Sequence, residues 1–311
     1  MRAATACLAC GGDQHEWWAT ARDVEYCSTA ENFDYRRCAR CQALFIDPVP
    51  VDRLAEIYPR NYYSFLGFGK ASPMSRIKAW LDRRVFRRIL AELPGDTLRV
   101  LDVGGGTGWL LSEIRNLDPR VQLTQVVDID AEAASRARAL GHRYFVGRIE
   151  EFTTETRYDL ILLLNIIEHV EDPGAVMRSV AALLQPGGRA LVKTPNTDAL
   201  DARLFRHRNW GGYHCPRHWV LFDRASFSRI VAASGLSTQR FSYTQGGPFW
   251  AVAVLSWFAA RGLASVSRER PAFFHPLFPL ITMVFAAFDF ARIALGQRAS
   301  QMFFEVGRAG Q

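Results

Sequence analysis

Lysine is scarce in this chain of 311 residues: only Lys70, Lys78 and Lys193 occur, so the net charge of +7 is carried almost wholly by arginine. Guanidinium forks suit phosphate and carboxylate groups. An anionic substrate, an anionic membrane surface and a plain solvated basic face all remain open. The basic residues never gather into one run, which disfavours nucleic acid. The N-terminus, MRAATACLACGG, lacks an apolar core followed by a cleavage site, so no secretory signal is read. Cysteine is sparse too, and four of the six fall in two C-x-x-C pairs, which fits a reducing cytoplasm and a bound metal better than disulfides. The remaining balance, 49% apolar and 22% charged, is that of a globular chain, long enough for one large domain and a small one.

The organising stretch is Leu98–Leu111, LRVLDVGGGTGWLL. An apolar, partly β-branched run ends at Asp102 and a glycine cluster, and Trp109, Leu110 and Leu111 open a helix. Strand, glycine turn and helix in that order form a ligand-binding corner of an open α/β sheet. The turn lets a ligand lie against the backbone, and the helix N-terminus offers unpaired N–H groups. A dinucleotide site needs G-x-G-x-x-G. Starting at Gly104 that frame ends on Trp109, and starting at Gly106 it ends on Leu111, so neither fits.

What fits is acidic-x-Gly-x-Gly-x-Gly, with Asp102, Gly104, Gly106 and Gly108 in register. This resembles motif I of the class I S-adenosylmethionine-dependent methyltransferases. The resemblance continues downstream in order and spacing. Val121–Val127 is a strand ending in VVDID, and Asp128 matches the acidic residue that accepts both ribose hydroxyls; a carboxylate has the two acceptor oxygens for that fork. Asp130 is placed to cap the helix Ala131–Leu140, and Gly141 closes it. After a strand at Arg143–Val146, Arg148 stands where many relatives carry the aspartate that binds adenine. That role is therefore vacant or moves to Glu150, with the Ile149 N–H facing the ring. Tyr158–Leu164 reads as a strand buried on both faces. It leads into NIIEHVEDP, which resembles the family's fourth-strand ending and implies Asn165 beside the methionine part of the cofactor. Glu168 and His169 face the site or cap the next helix. LLQPGGRALVKTPN matches the turn before the fifth strand, Arg189–Lys193.

The fold implied is an α/β, Rossmann-like class I methyltransferase sheet of seven strands in the order 3-2-1-4-5-7-6. Ahead of it, Cys7, Cys10, Cys38 and Cys41 offer four thiolates with 27 residues between the pairs. Four sulfurs point to a structural Zn2+ in a closed tetrahedral site; the alternative is a thiol redox pair. Residues 1–50 are read as a zinc ribbon, 51–95 as linker and lead-in helix, and 96–311 as the methyltransferase domain. In the linker, Tyr62 and Tyr63 with nearby Phe65 form either a lid over the cofactor or a packed hinge. Met74–Leu93 has an apolar stripe (Ile77, Trp80, Leu81, Val85, Ile89, Leu90) expected to pack on the core.

The loop after the fifth strand, DARLFRHRNWGGYHCPRHWVLFD, carries His207, His214 and His218 with four arginines. His218, then His214, then His169 rank as candidates for the base of a methyl transfer, or as residues that order the loop. The arginines clamp an acidic acceptor or are solvated. Leu236–Thr244 and Gln301–Gly307 give the last two strands. Between them an insertion at about 248–297 holds two apolar stretches, Phe249–Leu263 and Pro276–Leu295, that cover a pocket or dimer face, dip into a membrane surface, or span it. The expected activity is S-adenosylmethionine-dependent O-methylation of a sugar, glycan intermediate or other small metabolite, lipid-linked or free. The alternatives are a lipid or quinone-like acceptor, or a non-catalytic membrane-associated scaffold. The expected place is the cytoplasm, free or peripheral to the inner face of the membrane through 249–295.

Overall fold

A computed structural model describes residues 6–59, 62 and 73–310. Tyr63 and Phe65 lie outside the described residues, as does the side chain of Ile77. The chain opens with three antiparallel strands, β1 (His15–Arg22), β2 (Asn32–Cys38) and β3 (Leu44–Asp47). Two helices follow, α1 (Leu54–Ile57) and α2 (Pro73–Glu92). Then come β4 (Leu98–Val103), α3 (Trp109–Leu117), β5 (Val121–Asp128), α4 (Ala133–Ala139), β6 (Arg143–Val146), β7 (Tyr158–Leu164), α5 (Pro173–Leu183), β8 (Leu184–Pro195) and α6 (Leu200–Leu204). The last elements are β9 (Val220–Leu221), α7 (Arg224–Ala233), β10 (Leu236–Thr244), α8 (Gly247–Ala259), α9 (Phe278–Ala294) and β11 (Gln301–Arg308).

The main sheet has seven strands in the order β10-β11-β8-β7-β4-β5-β6, with β11 antiparallel to its neighbours. Counted along this domain, that is the 3-2-1-4-5-7-6 order of a class I methyltransferase. β7 sits at its centre because Leu160, Ile161, Leu162 and Leu163 have no exposure on either face; each such side chain contributes about 1.5–3 kcal/mol. The register aligns Val103 with Val127 and Leu164 with Lys193. The segments after β4, β5, β7 and β8 therefore emerge along one edge, where functional loops collect.

Among the described residues, the apolar stripe of α2 packs towards the C-terminal end of the helix. Phe86, Ile89 and Leu90 are buried against β4 and α3, while Trp80, Leu81 and Val85 are exposed, with nothing covering them among the described residues. The small N-terminal sheet is also less separate than its sequence implies. β9, donated by the histidine-bearing loop, pairs with β3 and makes it four-stranded.

A buried ion pair ties the end of β1 to the loop ahead of β9. Arg217 and Asp23 have side chains with no exposure and lie 2.7 Å apart. Arg217 Nε also donates to the Ile57 carbonyl at 2.6 Å. Burial would raise the Asp23 carboxyl, but the Arg217 charge and hydrogen bonds from Ser28 and Tyr26 overcome it and hold it at about 2. Asp23→Asn should destabilise the protein by about 3–5 kcal/mol in urea unfolding, because it strands a buried guanidinium. Since the folded carboxyl is depressed, this contribution is complete above about pH 4 and fades as the pH falls towards 2. A variant with an unchanged unfolding midpoint would contradict the assignment.

Candidate active site

Each cysteine pair sits on a tight knuckle. Cys7 donates to the Gly12 carbonyl, Gly11 donates to that of Cys7, and Gln42 donates to that of Cys38. The knuckles bring Sγ of Cys7 to 3.6 Å from Cys41 and Sγ of Cys10 to 3.6 Å from Cys38. All four sulfurs lie within 4.8 Å of one another. A tetrahedral zinc with arms of about 2.3 Å has edges of just under 4 Å, so the donor set and its size fit that ion. Cys27 and Cys215 stand apart as free thiols.

At the glycine corner, the three alternate glycines have positive φ: 73° at Gly104, 50° at Gly106 and 75° at Gly108. Their surroundings differ. A Cβ on Gly104 would lie 2.1 Å from Ile166 Cδ1, so this glycine lets the strand β7 ending pack directly on the turn. A Cβ on Gly106 would meet nothing within 4 Å, so the open side of the turn is there. The Gly106 N–H donates to Asp128 Oδ2 at 2.8 Å, and the Asp130 N–H donates to Oδ1 at 2.9 Å. Both oxygens keep a lone pair for further donors. Burial raises the Asp128 carboxyl, and burial with the Asp128 charge raises Asp102 to about 8. Asp130 accepts from the Glu132 and Ala133 amides in the turn ahead of α4, but the helix starts at Ala133, not Ala131, so Glu132 and not Asp130 holds the N-cap position. Ile149 is buried at the start of a single 3-10 turn, while Glu150 is exposed and Arg148 pairs with Glu171 at 3.3 Å. These geometries suit the sulfonium cofactor expected from the motif.

Immediately beyond Ile166, Glu168 is fully buried, and Asn165 Nδ2 and Thr194 Oγ1 donate to its carboxylate at 3.2 and 3.0 Å. His169 and His218 lie beside it, and His214 packs behind His218. Ring centroids of His169 and His218 are 4.6 Å apart and those of His214 and His218 are 4.9 Å apart. His218 Nδ1 faces the Gly212 carbonyl at 2.8 Å, and His169 Nδ1 faces the Arg217 carbonyl at 3.0 Å. A carbonyl only accepts, so both rings carry their proton on Nδ1 and present a bare Nε2. Nε2 of His218 lies 3.9 Å from Glu168. Burial lowers His169 to about 3 and His218 well below its usual range, so both are neutral at physiological pH. Burial raises Glu168 to about 7. Two imidazoles and a carboxylate, with ligand atoms within 4.8 Å, also form a donor set for a divalent ion.

His214 is held differently, between Glu25 on Nδ1 and the Tyr62 hydroxyl on Nε2. Glu25 and Asp23 were not legible as site residues. They lie between the cysteine pairs, and only the presence of two acids inside an aromatic stretch, RDVEY, could have flagged them. Tyr58, whose hydroxyl is 2.9 Å from His169 Nδ1, gave no signal beyond its neighbouring tyrosines. His207 is not in the cluster and stacks on Trp17. Of the loop arginines, Arg203 pairs with Asp198, Arg206 lies over Trp18, and Arg217 is the buried partner of Asp23, so none of these three is arranged to clamp an acceptor.

A motif I turn and an acidic second-strand end, at one edge of this sheet, define a class I methyltransferase. Consistent with this, a family model described as a methyltransferase domain matches residues 77–240, more than half of the chain, and the chain belongs to that family. Among curated proteins it is 34% identical over 124 residues to a ubiquinone biosynthesis O-methyltransferase of Bradyrhizobium sp. (strain ORS 278), covering 37% of this chain and 43% of that protein. A protein of the same description from Caulobacter sp. (strain K31) is 29% identical over 163 residues, covering 49% of this chain and 64% of its own length. The chain thus spans less than two thirds of these relatives. Among solved structures, magnesium protoporphyrin IX methyltransferase of Synechocystis PCC 6803 with bound SAH is 16% identical, with a TM-score of 0.48 over 83% of this chain and 94% of that one.

Zinc content gives a direct check of the thiol cluster. Purified protein should carry about one zinc per chain, and Cys38→Ser should lower both the content and the thermal midpoint. Unchanged zinc in that variant would refute the ribbon.

Proposed function

We propose that this protein is an S-adenosylmethionine-dependent O-methyltransferase acting on a quinone-like, ring-bearing acceptor of apolar character. The observation that carries the reading is the contact of Gly104 with Ile166, which sets the cofactor corner beside Glu168, His169 and His218. The names of the relatives support a quinone-like acceptor over the sugar or glycan acceptor expected from the ribbon. Residues 1–50 act as a zinc-bearing ribbon that braces the histidine loop, and the free thiols fit a reducing, cytoplasmic setting.

When bound, S-adenosylmethionine supplies a methyl group activated on sulfur, so much of the rate comes from alignment. Asp102, Gly104, Gly106, Gly108 and Asn165 shape the cofactor's amino-acid side, Asp128 accepts from the ribose hydroxyls, and Ile149 borders the ring. His218 Nε2 takes the acceptor's hydroxyl proton, while its Nδ1–H stays on the Gly212 carbonyl. Glu168 is the next proton acceptor, and His169 and His214 wall the site.

Calorimetry should show S-adenosylmethionine binding, weakened at least about tenfold in Asp128→Ala, which loses two charge-assisted hydrogen bonds. No binding, or binding indifferent to that change, would sink the enzyme reading. With a catechol acceptor, His218→Ala should lose about 10²–10⁴ in kcat with cofactor affinity kept. Because the Glu168 carboxyl is raised to about 7, its proton-accepting form is present above that pH. The rate should fall as the pH drops through 7, and Glu168→Gln should erase that limb of the profile.

A further inference from the structure

The polarity of α9 is inverted. Of its 17 residues only Asp289 and Arg292 are ionisable. Asp289 is 1% exposed and points into the protein, where it accepts from the Gly246 N–H at 2.9 Å. The outer stripe is apolar: Leu280, Met283, Val284 and Phe288 are 40–54% exposed, with Leu277 before them and Leu295 after. Their spacing of three and four residues puts them on one face, and the helix runs about 25 Å.

This stripe is rigidly mounted. α9 packs on α8 through the stacked Trp250 and Phe285, 4.5 Å apart, and a Cβ on Gly247 would come within 2.3 Å of the Thr282 carbonyl. No helix among the described residues is long and apolar enough to cross a membrane, so α9 lies in plane with any surface it meets. Exposed arginines gather at the end of α8. Arg261 sits over the Trp257 ring at 3.8 Å, and together with Arg208 these residues line a cavity of about 280 Å³. The loop between α8 and α9 adds exposed Arg268 and Arg270 beside Glu269, and the Arg268 charge also acts on Glu56 of α1.

We propose that the α8–α9 hairpin seats this protein on an anionic bilayer, with the outer stripe of α9 in the headgroup–acyl boundary and Arg208, Arg261, Arg268 and Arg270 against lipid phosphates. Apolar insertion and arginine–phosphate attraction are the two contributions that hold an in-plane helix on a charged membrane. A second copy of the chain fits this face less well. One exposed helix face of this length offers a few hundred Å², below the roughly 800 Å² per partner of a stable interface, and pairing would oppose arginine rims in a protein of net charge +7. The proposal rests on the apolar-acceptor reading for its purpose, since such an acceptor resides in the bilayer, but its test does not require turnover.

The intact, zinc-loaded protein is floated with vesicles of phosphatidylcholine, or of equal parts phosphatidylcholine and phosphatidylglycerol. Binding to the mixed vesicles is expected, about tenfold or more weaker on phosphatidylcholine alone and in high salt. The double variant Leu280→Glu, Val284→Glu should lose vesicle binding by a similar factor while keeping S-adenosylmethionine affinity and turnover of a water-soluble catechol, which also shows that it folds. Arg261→Gln with Arg268→Gln should remove most of the lipid-charge preference. Absence of vesicle binding, binding untouched by the two glutamates, or a solution dimer that those glutamates dissolve would each overturn the proposal, and turnover on the soluble catechol would still stand or fall separately.

Discussion

The site depends on one guanidinium kept from water. Arg217 has no exposed surface, and it satisfies its donors with Asp23, the Ile57 carbonyl and the Cys215 carbonyl while its charge lies over the Tyr26 ring at 4.7 Å. Apart from Cys215, these partners come from the ribbon and the linker, whereas Arg217 itself belongs to the loop after β8. A buried pair of this kind adds little net stability compared with apolar packing, but separating it is costly. It therefore serves as a lock that admits one arrangement of the ribbon on the sheet. His214, His218 and the Arg217 carbonyl that orients His169 all belong to the locked segment.

The lock also links the four-thiol cluster to the histidine loop, although a closed four-sulfur site offers no open coordination position for chemistry. The four thiols hold the ends of β2 and the knuckles, β3 extends onto β9, and the Tyr35 hydroxyl reaches the carbonyls of Tyr213 and His218 at 3.0 Å each. The strands that carry the thiols thus also contact the backbone that carries the histidines. Glu25, from the same segment, then supplies the carboxylate on His214.

Most of the main sheet was legible because its signals are local. The apolar run of β7, the positive-φ glycines, the Asp172-Pro173 start of α5 and the Gly141 end of α4 each have their cause within a few residues. The boundaries at Arg143–Val146 and Leu236–Thr244 match those expected from the chain alone. The candidate histidines were legible by type and position, but their tautomers were not, since these come from carbonyls of Gly212 and Arg217 that only the folded loop presents. Asp23 and Glu25 were invisible for the same reason: their partners are more than 180 residues away, so no period or spacing links them. Trp80, Leu81 and Val85 show the opposite failure, a periodic stripe whose covering layer ends halfway along the helix.

Helix α9 shows why hydropathy alone misplaces such segments. Its composition fits a helix that covers a pocket or dimer face and one that dips into a membrane surface, and fits a membrane span least. What separates them is the direction of the one carboxylate. In a span or an ordinary surface helix, Asp289 would turn towards water; here it caps the Gly246 amide inside the protein, and the apolar residues are left outside. An uncompensated carboxylate is the most expensive group to bury, so its inward position fixes the rotation of the helix. The outward position of Leu280, Met283, Val284 and Phe288 follows from that constraint.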